Sequence, residues 1–297
     1  MYPTLYEAGE LGLHTWGVMV TMAFLVSVLV VQRRVPKVGV NPDRLVPMYV
    51  LLIVAALLGA RLLHFVFAEP ALLFGNPAVF FDVKRGGYAF YGGVIGGGLA
   101  GALFCRARGI PVWKVTDVAA AAIPLGLAVG RVGCFFAGCC HGQPTGQAGG
   151  AALWTMRGGE VVLVDGFPWV GLVYFPGVGV GALHNVVLYP SQPWATAGGL
   201  ILFGLLSLMW ARMRRFDGQI IATLFVLYAG LRSLLESFRG DSVRGLYEVG
   251  GLTLSTSQLV SLGMVAVAAV ITAVKWRDGV APETPWVAPT EDELNAA

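Results

Sequence analysis

The chain has 297 residues, of which 56% are hydrophobic and only 12% charged, and its mean hydropathy is +0.72. A soluble domain carries about a quarter charged residues, so an ordinary water-soluble protein is excluded. The net charge of +3 says little in itself, and nothing in it points to nucleic acid as a partner.

Seven runs approach the roughly 20 apolar residues that a bilayer-crossing helix needs. They lie at about 13–32, 45–68, 88–105, 115–132, 195–211, 219–238 and 256–274. The expected fold class is an all-α polytopic membrane protein with seven transmembrane helices, spanning residues 1–276. The first run lacks a basic flank before it and a small-residue cleavage site after it, so it reads as a retained helix rather than a removed leader.

Basic residues gather in alternate connectors. Arg33, Arg34, Lys37 and Arg44 follow the first run, Arg106, Arg108 and Lys114 the third, Arg212, Arg214 and Arg215 the fifth, and Lys275 and Arg277 the seventh. The even connectors hold only Lys84, Arg85, Arg157, Arg239 and Arg244. Cytoplasmic loops collect Lys and Arg, which puts the N-terminus outside and the C-terminus in the cytoplasm.

Residues 1–12 read as a short outer segment. The first helix then opens on His14-Thr15-Trp16-Gly17, which suits either an interfacial belt or a polar site. The second carries Arg61 and His64, one turn apart on one face. Arg61 lies 17 residues beyond Arg44, or roughly 25 Å along a helix, which places it in the outer half. It either snorkels outward or joins a site.

The third helix begins with Tyr91-Gly92-Gly93-Val94-Ile95-Gly96-Gly97-Gly98. A phosphate loop would need a following Lys-Ser/Thr, which is missing. Glycines spaced by four instead predict close packing against another helix. The fourth helix contains Pro124, Gly126, Gly130 and Gly133, which make it easy to bend or break, and it leads into Gly130-Arg131-Val132-Gly133-Cys134-Phe135. Arg131 again sits 17 residues beyond an inner basic marker, Lys114.

Residues 143–194 form the longest connector. Val161–Val164 and Gly171–Phe175, with Gly and Pro between them, suggest short strands in a small periplasmic cap. The fifth helix is plain. On the sixth, Tyr228, Arg232, Glu236 and Arg239 make a single polar stripe. An ion pair between Arg232 and Glu236 would need only two charges, so the surplus arginine points to an anion. The seventh helix reads as scaffold, and 277–297, rich in Pro and Glu, reads as a disordered cytoplasmic tail.

Polar residues therefore recur at one depth on five helices: His14 and Trp16, Arg61 and His64, Tyr91, Arg131, and the Tyr228–Arg239 stripe. Charges inside a membrane usually face a bundle interior and mark a substrate path. Arginine forks suit a phosphate diester better than lysine does. The pattern predicts a cavity, open to the outer leaflet, that grips a phospholipid headgroup. Either an enzyme acting on the headgroup or a lipid binder or flippase would use such a cavity. A flippase wants polar groups along both halves of its path, and the inner halves here are apolar, which favours the enzyme. Cys134, Cys139 and Cys140 are left with three readings: a disulfide, buried thiols or a metal site. Their spacing with His141 matches no standard zinc pattern. Cys105 reads as inert packing.

At these residues the chain resembles the bacterial prolipoprotein diacylglyceryl transferases. Gly130-Arg131-Val132-Gly133-Cys134-Phe135 is similar to the family's Gly-Arg-x-Gly-Asn-Phe. Tyr228-x-x-x-Arg232-x-x-x-Glu236-x-x-Arg239 is similar to its late-helix motif, Pro190-Ser191-Gln192 to its Pro-Ser-Gln, and Tyr91-Gly92-Gly93 to its His-Gly-Gly. His14–Gly17 and Gly59–Arg61 match more weakly. The resemblance implies transfer of a diacylglyceryl group from phosphatidylglycerol to the lipobox cysteine thiol of a prolipoprotein signal peptide, with no metal or other cofactor. It implies a monomer in the bacterial cytoplasmic (inner) membrane. Arg131, Arg232, Glu236 and Tyr91 would be catalytic, and substrate would be bound by Arg239, Arg61, His64, His14, Trp16, Tyr228, Gly92, Gly133, Gly142 and Gln192. Where the family has His, Asn and an acidic residue, this chain has Tyr91, Cys134 and Cys139. The competing expectation is a catalytically altered relative that only binds phospholipid or signal peptide.

Overall fold

Seven helices long and apolar enough to cross a membrane run through a computed structural model of the chain. It describes residues 4–8, 11–82, 85–142, 155–157, 160–162, 172–173, 187–239, 246–249 and 252–287. The helices are α1 (Thr15–Arg34), α2 (Val46–Ala68), the short α3 (Pro70–Gly75), α4 (Phe90–Ala107), α5 (Val112–Ala137), α6 (Ser191–Arg212), α7 (Gln219–Glu236) and α8 (Thr256–Lys275). All but α3 are the expected spans. Their outward residues are apolar, as Leu103, Ile201 and Val270 show, at 65%, 61% and 62% exposure. Such side chains are at home against lipid tails and costly in water.

The chain divides into two compact units, one formed by residues 1–31 and 116–281 and the other by 32–115 and 282–297. In the first, α7 packs on α6 and α8. Glycines permit the closest approaches to α5: a Cβ on Gly126 would meet Ser27 Oγ of α1 at 2.5 Å, and one on Gly199 of α6 would meet Pro124 O at 3.0 Å. The helix α5 is continuous across Pro124 and runs on to Ala137, so the Gly130–Phe135 stretch forms its last turns rather than a break after it. Packing on both sides holds the proline turn helical.

Asp117, wholly buried on α5, fixes the start of α7. Its carboxylate accepts from Gly218 N (2.8 Å), Ile220 N (3.0 Å) and Ile221 N (3.1 Å). The first N–H groups of a helix have no partner in that helix and carry its positive dipole end. A carboxylate donated by a neighbouring helix satisfies both needs.

In the second unit, α2 packs on α4. A Cβ on Gly92 would meet Gly59 O at 2.2 Å, and one on Gly96 would meet Ala55 O at 2.5 Å. The glycine row of α4 therefore does what its spacing predicts. Cys105 is buried there against Met48, Sγ to Sδ 3.8 Å.

Four two-stranded hairpins accompany the helices among the described residues. In the 143–194 connector, β3 (Thr155–Arg157) pairs with β4 (Glu160–Val162), and β5 (Leu172–Val173) with β6 (Val187–Leu188). The rest of the expected cap lies outside the described residues, as do Lys84, Gly240, Asp241 and Arg244. Two further hairpins stand where no strand was expected. Within the short N-terminal segment β1 (Thr4–Ala8) pairs with β2 (Leu11–His14) across Gly9-Glu10, and β7 (Leu246–Val249) pairs with β8 (Leu252–Ser255) across Gly250-Gly251. Two-residue connections of Gly-X and Gly-Gly type are strong hairpin signals.

The C-terminal segment differs from a solvated tail over its described part. Lys114, 6% exposed, donates to Pro282 O (2.8 Å) and pairs with Glu283 (3.7 Å), while Trp286 N donates to Pro36 O (2.8 Å). A buried ammonium needs a carboxylate and a carbonyl close by, and this segment supplies both.

Candidate active site

In the first unit, α5, α6 and α7 line a narrow cleft. Arg131 comes from α5, Ser191 from the start of α6, and Tyr228 and Arg232 from α7. Arg239 and Cys140 follow the ends of α7 and α5. Leu127, Leu202, Leu231 and Leu235, with Ala195 and Gly199, complete the wall, so three guanidinium groups share a largely apolar cavity.

The helical spacing on α7 explains the placement. Tyr228 and Arg232 stand one turn apart and face the cleft, whereas Glu236, the next residue on the stripe, is buried behind them at 4% exposure. Glu236 holds Arg232 in an ion pair of 2.8 Å, and Ser257 of α8 accepts from the same Nη2 at 2.7 Å. Arg232 is thus oriented while only part of its donor fork is used. Arg131 makes no hydrogen bond or ion pair among the described residues, and it stands one turn of α5 before Cys134.

The far wall is stitched by backbone. Arg239 and Gly142 form an isolated antiparallel bridge. A Cβ on Gly142 would lie 2.2 Å from Tyr189 O, so no other residue fits without displacing the chain. Ser191 Oγ donates to Cys140 O and Gln192 Nε2 to Cys139 O, each at 3.0 Å. The Pro190-Ser191-Gln192 motif therefore positions the segment after α5, with Gln192 buried at 1% exposure. His141 is also buried, its Nδ1 2.9 Å from Gly142 O.

The thiols beside this wall are polarised. Hydrogen bonds from Cys134 and Cys139 draw the Cys140 thiol well below its ordinary range, helped by the charges of Arg131 and Arg239. Cys139, donating to Cys134 and Cys140, is pushed up.

Several expected site residues have other duties. Gly133 lies where a Cβ would meet Met19 Cβ at 2.7 Å, so it serves the contact of α5 with α1. His14 ends β2 and Trp16 opens α1, both exposed, and neither lines the cleft. In the second unit, Arg61 is 4% exposed, and its guanidinium donates to Phe80 O, Asp82 O, Gly86 O (2.8 Å) and Val79 O (2.9 Å). It also lies over the rings of Phe65 and Tyr88, 5.1 and 5.4 Å from their centroids. Four of the five donors of an arginine are thereby spent on one loop. The expectation that Arg61 receives a headgroup gives way to a loop clamp. His64 covers Gly87, where a Cβ would meet its ring at 2.5 Å. Gly92 is a helix-packing position, and Tyr91 sits in the first turn of α4 with its ring 5.8 Å from that of Phe90.

Sequence reasoning missed Asp117 and Ser257, and it named Ser191 only within the Pro190-Ser191-Gln192 motif. Asp117 carried a signal, since a lone carboxylate inside an apolar run needs a partner. Ser257 carried none.

Fold and cleft together define a multi-pass membrane protein with an arginine-lined cleft in its first unit. A sequence model of the family described as prolipoprotein diacylglyceryl transferase matches residues 3–274, and the chain belongs to that family. It is 32% identical over 270 residues to a protein of Aromatoleum aromaticum, covering 89% of this chain and 92% of the relative. It is 29% identical over 262 residues to one of Clostridium tetani (88% and 93%) and 28% identical over 275 residues to one of Bacillus mycoides (93% and 92%). Each of the three relatives is named phosphatidylglycerol–prolipoprotein diacylglyceryl transferase.

Proposed function

We propose that this chain transfers the diacylglyceryl group of phosphatidylglycerol to the lipobox cysteine of prolipoproteins, in the outer leaflet of the bacterial cytoplasmic membrane. The observation that carries the reading is the cleft in which Arg131, Arg232 and Arg239 converge, with Glu236 behind Arg232. The N-terminus lies outside and the C-terminus inside, as the alternation of basic connectors suggests. A single chain does the work, since one cleft supplies all three arginines.

The sulfur of the substrate cysteine attacks the glyceryl carbon that bears the phosphate. The new carbon–sulfur bond forms as the carbon–oxygen bond breaks, and the electron pair leaves on the phosphate oxygen as glycerol phosphate. Charge on the departing phosphate grows along this path. Arg131 and Arg232 are already in place to receive it, so little reorganisation is needed at the moment of reaction. Glu236 and Ser257 keep Arg232 aimed, and Arg239 holds the headgroup from the other wall. The apolar leucines around them keep the dielectric low, which strengthens each contact. The reacting sulfur must be a thiolate, and an ordinary thiol titrates near 8.5. A tyrosine is a poor base at neutral pH, so the thiol proton passes to solvent rather than to Tyr91.

The test is transfer with purified protein, phosphatidylglycerol and a lipobox peptide, scored by the mass of the modified thiol. A diacylglyceryl thioether supports the reading. No adduct, with arginine-dependent lipid binding retained, would mark a relative that binds phospholipid without catalysis.

A further inference from the structure

The transfer reaction makes no use of the three thiols that follow Arg131. We infer that Cys134, Cys139 and Cys140 together form a binding site for one thiophilic metal ion, of the Zn²⁺ or Cu⁺ class, against the wall of the cleft.

Backbone geometry brings the sulfurs together. The helix α5 ends at Ala137, and Gly138 turns left-handed with φ 71°. Gly138 N then donates to Phe135 O (3.2 Å) and Cys139 N to Cys134 O (3.1 Å). This pair of bonds is the Schellman motif, which sets the second residue past the helix against the residue three before its end. That contact is normally apolar, and here it joins Cys139 to Cys134. Cys140 follows at φ 57°, the one non-glycine residue with positive φ among the described residues. A side chain is uncommon in that region, and here the conformation returns a third thiol to the same point.

The three Sγ atoms all lie within 4.8 Å of one another. Bonds of about 2.3 Å to one zinc ion hold sulfurs roughly 3.8–4.0 Å apart, so each need move by less than about 1 Å. A disulfide would use two of them at about 2.05 Å and leave the third without a role. Three converging sulfurs are what a metal requires. The frame is also held: the carbonyls of Cys139 and Cys140 accept from Gln192 and Ser191 at 3.0 Å. Three thiolates exceed the charge of a monovalent or divalent ion, and Arg131 and Arg239, both bearing on Cys140, offset the surplus. A fourth ligand would come from water or an external thiol.

Full-length protein in detergent, reduced, desalted and kept without oxygen, is titrated with Cd²⁺ alone, reading the ultraviolet thiolate-to-metal absorption and the bound metal by mass spectrometry. The expected result is one Cd²⁺ per chain, displaced by Zn²⁺. Cys139→Ser, at an exposed position, should weaken binding more than tenfold with an unchanged melting temperature, and Cys134→Ser should act likewise. Cys105→Ser, in the other unit, should bind as the parent does. Absence of stoichiometric Cd²⁺, or binding indifferent to Cys139→Ser and Cys134→Ser, would overturn the site.

Discussion

Arg61 and Arg232 are both arginines inside apolar helices, and their surroundings are opposite. Arg61 is sealed by four backbone carbonyls and the faces of Phe65, Phe80 and Tyr88, whereas Arg232 has one carboxylate, one hydroxyl and a cleft in front of it. A buried cation that exhausts its donors on its own chain is structural. One held by a single edge keeps capacity for a ligand. The difference lies in the partners and not in burial, since Arg61 is the more deeply buried.

Substitution should separate the two kinds of arginine. The largest effect is expected at Arg232, where Arg232→Ala should lower transfer by about 10²–10³-fold, the usual loss when a preorganised donor to a developing charge is removed. The melting temperature should fall as well, because the buried Glu236 carboxylate loses its ion-pair partner. Next is Arg61→Ala, which orphans four carbonyls and should cost about 3–5 kcal/mol of stability, read as a large fall in thermal unfolding temperature in detergent. Arg61→Lys should not restore it, because an ammonium cannot span the four acceptors. A smaller stability loss, about 2 kcal/mol, is expected for Asp117→Ala, which uncaps α7. The smallest effect is Tyr91→Phe, a decrease of a few-fold in transfer with no change in melting, measured in the same assay.

The contrast also marks how far sequence reasoning reaches. Hydropathy located all seven membrane helices, because twenty apolar residues in a row have no other stable home. Glycine spacing on α4 predicted close packing against another helix, which the structure identifies as α2, and the Tyr228–Arg239 stripe predicted polar groups on the cleft wall. Arg61 and Arg131 both lie 17 residues from an inner basic marker, so position along the helix could not tell the clamp from the ligand-facing group. The acceptors of Arg61 are backbone carbonyls of residues 79–86, and carbonyls leave no trace in a sequence. The cap on α7 comes from Asp117, about a hundred residues away in the chain. The meeting of the three cysteines depends on one left-handed turn at Gly138 and another at Cys140, and only the first is a residue type that announces such a turn. The hairpins β1–β2 and β7–β8 did carry a local signal in Gly9-Glu10 and Gly250-Gly251.

The most direct test of the central claim is the transfer rate of Arg131→Ala beside Arg61→Ala in phosphatidylglycerol proteoliposomes, expressed per folded molecule. Arg131→Ala should remain folded and form no thioether adduct, while the folded fraction of Arg61→Ala should transfer at close to the parent rate. Parent-level transfer by Arg131→Ala would contradict it.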